Sequence, residues 1–185
     1  MKSTRCSKSF FARDADAVAR DLLGCLLVRI YKGERLAGRI VETEAYLGVI
    51  DQASHASNNR RTLRNEAMYG PPGLSYVYFT YGMHFCMNVS CKAKDDPAAV
   101  LIRALEPVDG LDTMRDIAQR REGHVQDEGS RPLPRPGAAV PSPRHRPRTE
   151  RCRHAQEQGI VVRAAEGAAP QGRARRRVGP HRPWE

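Results

Sequence analysis

The amino-acid sequence predicts a single α+β domain with a mainly antiparallel sheet and flanking helices. The first observation is length, because 185 residues allow one domain with a sizeable core and are few for two. The second is that five short apolar runs are separated by turn residues, as in a sheet of consecutive strands. The third is that helical periodicity is confined to two segments that flank these runs.

The first half of this domain is predicted to be a helix followed by a hairpin. Apolar residues recur on one side of residues 14–23, and Gly24 provides a helix stop. Residues 25–31 and 35–47 are predicted strands, joined by the turn sequence Lys-Gly-Glu.

The second half contains a long loop, three strands and a closing helix. Residues 48–72 are polar and rich in turn signals, and a loop of this length inside a compact domain usually serves function. The remaining elements are predicted strands at 75–81, 84–91 and 99–105 and a helix at 109–119.

The net charge of +10 is unevenly distributed along the chain. Residues 1–119 carry 16 basic and 14 acidic residues, whereas residues 120–185 carry 15 arginines and 7 acids. The second segment also holds nine of the 13 prolines and has neither Tyr nor Phe, so we expect it to be disordered. Three interpretations stay open: a solvated basic tail, an arm that binds DNA phosphates, and a segment that does not naturally continue this domain.

Hydropathy and cysteine content narrow the class of protein. No apolar run approaches the roughly 18 residues of a membrane span, and the N-terminus lacks a signal-peptide core. The five cysteines are odd in number and form no Cys-x-x-Cys pair, which argues against a disulfide scaffold or a zinc site. We therefore expect a cytoplasmic protein with reduced thiols and without a membrane partner.

The predicted strand 35–47 carries an unusual row of polar groups. Because side chains alternate along a strand, one face is shared by Ile40, Glu42, Glu44 and Tyr46. Two carboxylates and a phenol on one face form a candidate acid–base site. A solvent-exposed polar face of an antiparallel sheet would have the same pattern.

Tyrosines cluster in the strands that follow. Tyr76, Tyr78 and Tyr81 lie within six residues of each other. Ordinary packing of rings on a sheet would explain them, and so would a platform on which bases stack. Tyr81 and the glycine after it lie at the junction of two strands, a position from which a ring can enter a nucleic-acid groove.

Polar residues elsewhere extend the set of candidates. His55 lies in the long loop, where a structural role is the commoner one for a histidine. Asn88 and Arg103 interrupt apolar strands, and a satisfied hydrogen bond in the core is the simplest interpretation of either. Three loop arginines are able to bind the DNA backbone or to face solvent: Arg60, Arg61 and Arg64.

Several sequence motifs together resemble one protein family. They are GRIVETEAYLG, the spaced His55, RNEAMYGPPGLSYVYFTYGMHFCMNVS and VLIRALEPVDGLDTMR. These motifs, spread over residues 10–119, are similar to the alkyladenine (3-methyladenine) DNA glycosylase family of the mammalian type. The resemblance implies a monofunctional base-excision repair enzyme that flips alkylated or deaminated purines out of double-stranded DNA and hydrolyses the N-glycosidic bond.

The resemblance also assigns roles to residues of this chain. Glu44 would activate the attacking water, and Arg103 would order that water. Tyr46 and Tyr78 would enclose the extruded base, and Tyr81, on an intercalating hairpin, would fill the gap left in the duplex.

Supporting roles follow from the same resemblance. His55 would border the pocket and hydrogen-bond near the sugar-phosphate of the lesion. Asn88 would disfavour guanine by clashing with its exocyclic amine, and Glu42 would give structural support. The family implies no metal and no cofactor, and we expect a monomer.

Beyond Gln119 the resemblance ends. Family members continue with a Gly-Pro segment, another helix and further strands, whereas residues 120–185 have the Arg-, Pro- and Ala-rich composition that a shifted reading frame produces in a GC-rich gene. We hypothesise such a frameshift, and we expect the chain as written to be poorly folded or inactive because missing strands leave sheet edges unpaired. The alternatives are a truncated or degenerate protein that binds lesions without cleaving, and a basic nucleic-acid-binding protein that depends on the tail.

Overall fold

The computed structural model describes residues 4–81, 84–119, 161–163 and 173–176. Within them, one sheet is formed by β1 Leu26–Tyr31, β2 Glu34–Tyr46, β3 Ser75–Thr80, β4 His84–Cys91, β5 Ala98–Asp109, β6 Val161–Arg163 and β7 Arg173–Arg176. The helices are α1 Lys8–Phe11, α2 Ala15–Leu22 and a segment over 111–119. Short 3₁₀ turns lie at Gly48–Ile50, Ser57–Asn59 and Glu66–Tyr69. The predicted α+β domain is confirmed.

The sheet is antiparallel along its main row of strands. The order is β3-β4-β5-β2-β1-β6, and each neighbouring pair in it is antiparallel. β7 pairs in parallel with residues 42–45 of β2, beyond the part of β2 that pairs with β1. β2 is therefore central, with β5 on one side and β1 followed by β7 on the other.

One face of the sheet is apolar and packs against α2. The buried side chains of α2 recur at helical spacing and are Ala15, Val18, Ala19 and Leu22. They form a single core cluster with apolar residues of the central strands, including Ile40, Ala45, Val89, Val100 and Ile102. The buried Thr43 joins this face by donating its hydroxyl to the carbonyl oxygen of Ala19 at 2.9 Å, which satisfies a polar group that burial would otherwise penalise.

Two irregularities in the pairing of β2 with β5 change which residues share a face. Ile40 lies opposite Leu105, but the register then skips Val41 on β2 and Arg103 on β5. An extra residue in one strand shifts the alternation of side chains by one position. Ile40 consequently packs in the α2 core, and the prediction that it shares a face with Glu44 is wrong.

The remaining predictions concern two parts of the chain, before and after Gln119, and the structure describes mainly the first. β5 runs to Asp109, four residues further than predicted, and the loop after β2 contains three 3₁₀ turns. The predicted disorder and the frameshift hypothesis concern residues 120–185, most of which lie outside the described residues; the described parts, β6 and β7, are strands of the sheet. No helix among the described residues is long and apolar enough to cross a membrane.

Candidate active site

The second face of the sheet carries a row of paired residues across four strands, and three of these residues are polar. The pairing aligns Tyr76 of β3 with Asn88 of β4, Asn88 with Leu101 of β5, and Leu101 with Glu44 of β2. Residues paired in this way point to the same side of a sheet. The row therefore places a phenol, an amide and a carboxylate on one surface, under the loop that connects β2 to β3.

A pocket lies between this surface and the loop. Its wall consists of Tyr46, Ala53, Ser54, His55, Met68, Tyr76, Tyr78, Asn88 and Ala99. The cavity has a volume of about 10 Å³, which is room for about one water molecule. The space that accepts a water-sized molecule between these side chains is thus small.

Glu44 is the buried carboxylate of this surface. Its side chain is 4 % exposed, and its Oε2 accepts a hydrogen bond from Nη1 of Arg103 at 2.6 Å. Nε of the same guanidinium donates to Oε1 of Glu42 at 3.2 Å. Because Arg103 is the extra residue of β5, the irregular pairing aims it at both carboxylates. The hydrogen bond from Arg103 fixes the orientation of the Glu44 carboxylate, which is the type of group that acts as a general base.

The two tyrosines predicted to enclose a base both line the pocket. Tyr46 and Tyr78 are each 9 % exposed. The ring of Tyr78 packs edge-on against His55, with centroids 4.6 Å apart, and lies 5.4 Å from the ring of Tyr76. Burial, followed by the neighbouring Cys86, raises the pKa of Tyr78, which keeps its hydroxyl protonated. The aromatic lining is uncharged and suits a flat, electron-poor ring.

His55 is placed at the pocket by a hydrogen bond that the sequence did not reveal. Its Nδ1 lies 2.8 Å from the hydroxyl oxygen of Tyr76. Burial, with smaller contributions from the positive charges of Arg64 and Arg60, lowers the pKa of His55 to about 4. The imidazole is therefore neutral at physiological pH.

Two buried asparagines hold the pocket together. Asn88 donates from Nδ2 to the carbonyl oxygen of Tyr76 at 3.1 Å. Asn65, which the sequence analysis missed, donates from Nδ2 to the carbonyl oxygens of His55 at 2.9 Å and of Arg60 at 2.8 Å. Its Oδ1 accepts from the backbone of Thr62 at 2.7 Å. The Thr-x-x-Asn spacing is a turn signal and was available in the sequence.

Tyr81 lies at the exposed end of the β3–β4 hairpin, as predicted. It is 71 % exposed and has a left-handed backbone with φ of 51°, a conformation that few residues with a Cβ adopt. Behind it, the rings of Phe79 and Phe85 pack with centroids 4.8 Å apart. An exposed aromatic ring on a packed support is suited to insertion between bases.

The three loop arginines have different surroundings. Arg61 forms ion pairs with Glu66 and, at 2.9 Å, with Asp95. Arg64 donates to the carbonyl oxygen of Phe79 at 3.1 Å and lies 5.6 Å from the ring centroid of Tyr78, at the edge of the pocket. Arg61 thus has two acidic partners at the protein surface, while Arg60 is exposed. The DNA-backbone role of the three arginines stays a prediction.

The family model and the relatives that match this chain all name the same kind of protein. Residues 9–132 match the family model of methylpurine-DNA glycosylase (MPG). A relative from Clostridium botulinum strain Langeland, provisionally named 3-methyladenine DNA glycosylase, is 49 % identical over 118 residues, which cover 64 % of this chain and 58 % of the relative. Another with the same name, from Alkaliphilus oremlandii, is 51 % identical over 110 residues, 60 % of this chain and 54 % of the relative. The chain thus spans less than two thirds of the length of these relatives.

Proposed function

The chain belongs to the methylpurine-DNA glycosylase family, and on that premise we propose that it excises alkylated or deaminated purines from double-stranded DNA. The observation that carries the proposal is a buried carboxylate, Glu44, held by Arg103 next to a pocket of aromatic side chains. A carboxylate in this setting is suited to act as a general base, and the aromatic side chains are suited to hold a base by stacking.

In the proposed reaction a water molecule replaces the purine on the sugar. Glu44 takes a proton from the water, whose oxygen forms a bond to C1′ of the deoxyribose. The purine leaves with the electron pair of the broken N-glycosidic bond, which is easiest when alkylation has made it cationic. Arg103 orients the carboxylate, and the reaction requires no covalent bond to the protein.

Before this step the nucleotide is rotated out of the duplex, which costs a few kcal/mol and least for a damaged base. We propose that Tyr81 enters the gap and restacks the neighbouring bases. The extruded purine enters the pocket and stacks between the rings of Tyr46 and Tyr78. Asn88 then lies beside the base and disfavours guanine.

The proposal is tested with the full chain and a duplex that contains a single hypoxanthine or ethenoadenine. Base release leaves an abasic site, which alkali cleaves into a shorter strand. The sequence alone favoured an inactive chain because of unpaired sheet edges, but β6 pairs with β1 and β7 pairs with β2. On that basis we expect cleavage with the wild-type chain and with Glu106→Gln, which removes a carboxylate from an exposed β2–β5 ion pair with Arg39. Binding of the lesion duplex without cleavage would instead favour the alternative of a lesion-binding protein.

A further inference from the structure

We infer that Tyr76 is a positioning residue whose hydroxyl donates a hydrogen bond to Nδ1 of His55 and thereby keeps the imidazole proton on Nε2. The pocket then presents an N–H donor to the nucleotide that it binds. This inference rests on the proposed function for its consequence, but its structural part concerns the protein without DNA.

The first support is that His55 is held from several directions. Its Nδ1 lies 2.8 Å from the hydroxyl oxygen of Tyr76, and its backbone carbonyl accepts from Asn65. The ring of Tyr78 packs edge-on against the imidazole at 4.6 Å. Tyr76 itself is 2 % exposed and its backbone carbonyl is bound by Asn88. A ring held in this way has little freedom to exchange one hydrogen-bonding nitrogen for the other.

The second support is the charge around the ring. The cationic side chains that face His55 are Arg64 and Arg60, and their charges act with burial to keep the imidazole neutral. A neutral imidazole has one donor nitrogen and one acceptor nitrogen. If Nδ1 accepts from the phenol, Nε2 must carry the proton.

The third support is that Nε2 is available. No described residue forms a hydrogen bond with this nitrogen, although His55 lines the pocket. The opposite tautomer would make Nε2 an acceptor, which would repel the phosphate and sugar oxygens of an incoming nucleotide. The Nε2–H tautomer instead complements the acceptors of DNA, and it does so without adding a third positive charge beside Arg64 and Arg60.

The structural part is tested by NMR on the ¹⁵N-histidine-labelled full chain, with His55 assigned by the loss of its signals in His55→Gln. Long-range proton–nitrogen correlations show which ring nitrogen is protonated. We expect Nε2–H in the wild type and a loss of that preference in Tyr76→Phe. The matched control is Tyr69→Phe, because Tyr69 is equally buried in the same cluster and its hydroxyl has no hydrogen-bond partner among the described residues. An Nδ1–H tautomer in the wild type, or an unchanged tautomer in Tyr76→Phe, would overturn the inference.

The functional part is tested by single-turnover excision from a lesion duplex. We expect Tyr76→Phe to be slower by about tenfold, the effect of one lost hydrogen bond, and Tyr69→Phe to match the wild type. Equal rates in the two variants would refute the role in excision. If the wild type itself releases no base, the proposed function fails while the NMR result still decides the tautomer.

Discussion

The two faces of the central strands differ in what they do, although alternate residues of the same segments build them. On β2, Thr43 and Ala45 join the core under α2, whereas Glu44 and Tyr46 join the pocket surface. The α2 face is apolar and needs few directed contacts. The pocket face is buried but polar, so its groups require hydrogen-bond partners such as Arg103. The pleat of the sheet therefore separates the residues of the core from those of the proposed active site.

The largest effect expected from this separation is the loss of activity in Glu44→Gln. The amide keeps the shape of the side chain but is not a base, so the excision rate should fall by about 10²–10⁴-fold. Binding of the lesion duplex should persist, and the free energy of unfolding should change by only about 1 kcal/mol. Single-turnover excision and urea unfolding measure the two quantities, with Glu106→Gln as control. A wild-type rate in Glu44→Gln would remove Glu44 from the mechanism.

The substitution Leu22→Ala on the α2 face is expected to lower the stability of the protein and to leave the excision rate unchanged. Leu22 is fully buried in the core cluster, and the cavity left by its truncation should cost about 2–5 kcal/mol of unfolding free energy. Excision per folded molecule should stay unchanged. A rate that falls with the chain still folded would show that the two faces are coupled.

A smaller effect is expected from pH, and it originates on the pocket face. Because the pKa of folded His55 is about 4 and that of an unfolded histidine is 6.5, the unfolded chain binds more protons between these values. Stability should therefore fall as the pH drops through this window, by about 1–2 kcal/mol between pH 7 and pH 5 for a group with some solvent access. The measurement is urea unfolding of the wild type at both pH values.

Two variants test whether His55 is the source of this pH dependence of stability. His55→Gln should lose that part of the pH dependence, whereas His84→Gln, which changes an exposed histidine on β4, should retain it. An equal pH dependence in all three proteins would place its origin elsewhere in the chain.

The smallest effect is expected from Tyr81→Ala, which belongs to neither face. Its side chain is exposed, so stability should change by no more than about 0.5 kcal/mol. Loss of the stacking ring should slow excision by about tenfold, since stacking of a ring on a base contributes about 1–3 kcal/mol. Ile30→Ala removes an exposed apolar side chain on β1 and should leave the rate unaltered. Equal rates for both variants would exclude the wedge role.

Local patterns in the sequence were sufficient for part of this arrangement. Alternation placed Glu42, Glu44 and Tyr46 on the surface opposite the core, and the Tyr-Gly junction placed Tyr81 at a hairpin end. These predictions depend only on neighbouring residues, whose geometry a strand or turn determines.

The features that the sequence did not reveal depend on pairing between distant segments. The prediction for the face of Ile40 was wrong because the pairing of β2 with β5 leaves Val41 and Arg103 without partners in the register, and this irregularity depends on both strands. The ion pair of Arg61 with Asp95 joins residues 34 positions apart. The contact of His55 with Tyr76 joins a loop to a strand 21 residues later. Each of these features depends on a tertiary contact, which local sequence patterns do not predict.

The small volume of the pocket has a consequence for small molecules that resemble the proposed lesion. Because the cavity of about 10 Å³ holds about one water molecule, a free purine must move the surrounding side chains to enter it fully, and it brings no phosphates with which to offset that cost. Free bases should therefore be poor competitive inhibitors of the full chain. Under the proposed function, useful inhibitors would carry the flanking backbone, whose contacts would offset the cost of opening the pocket.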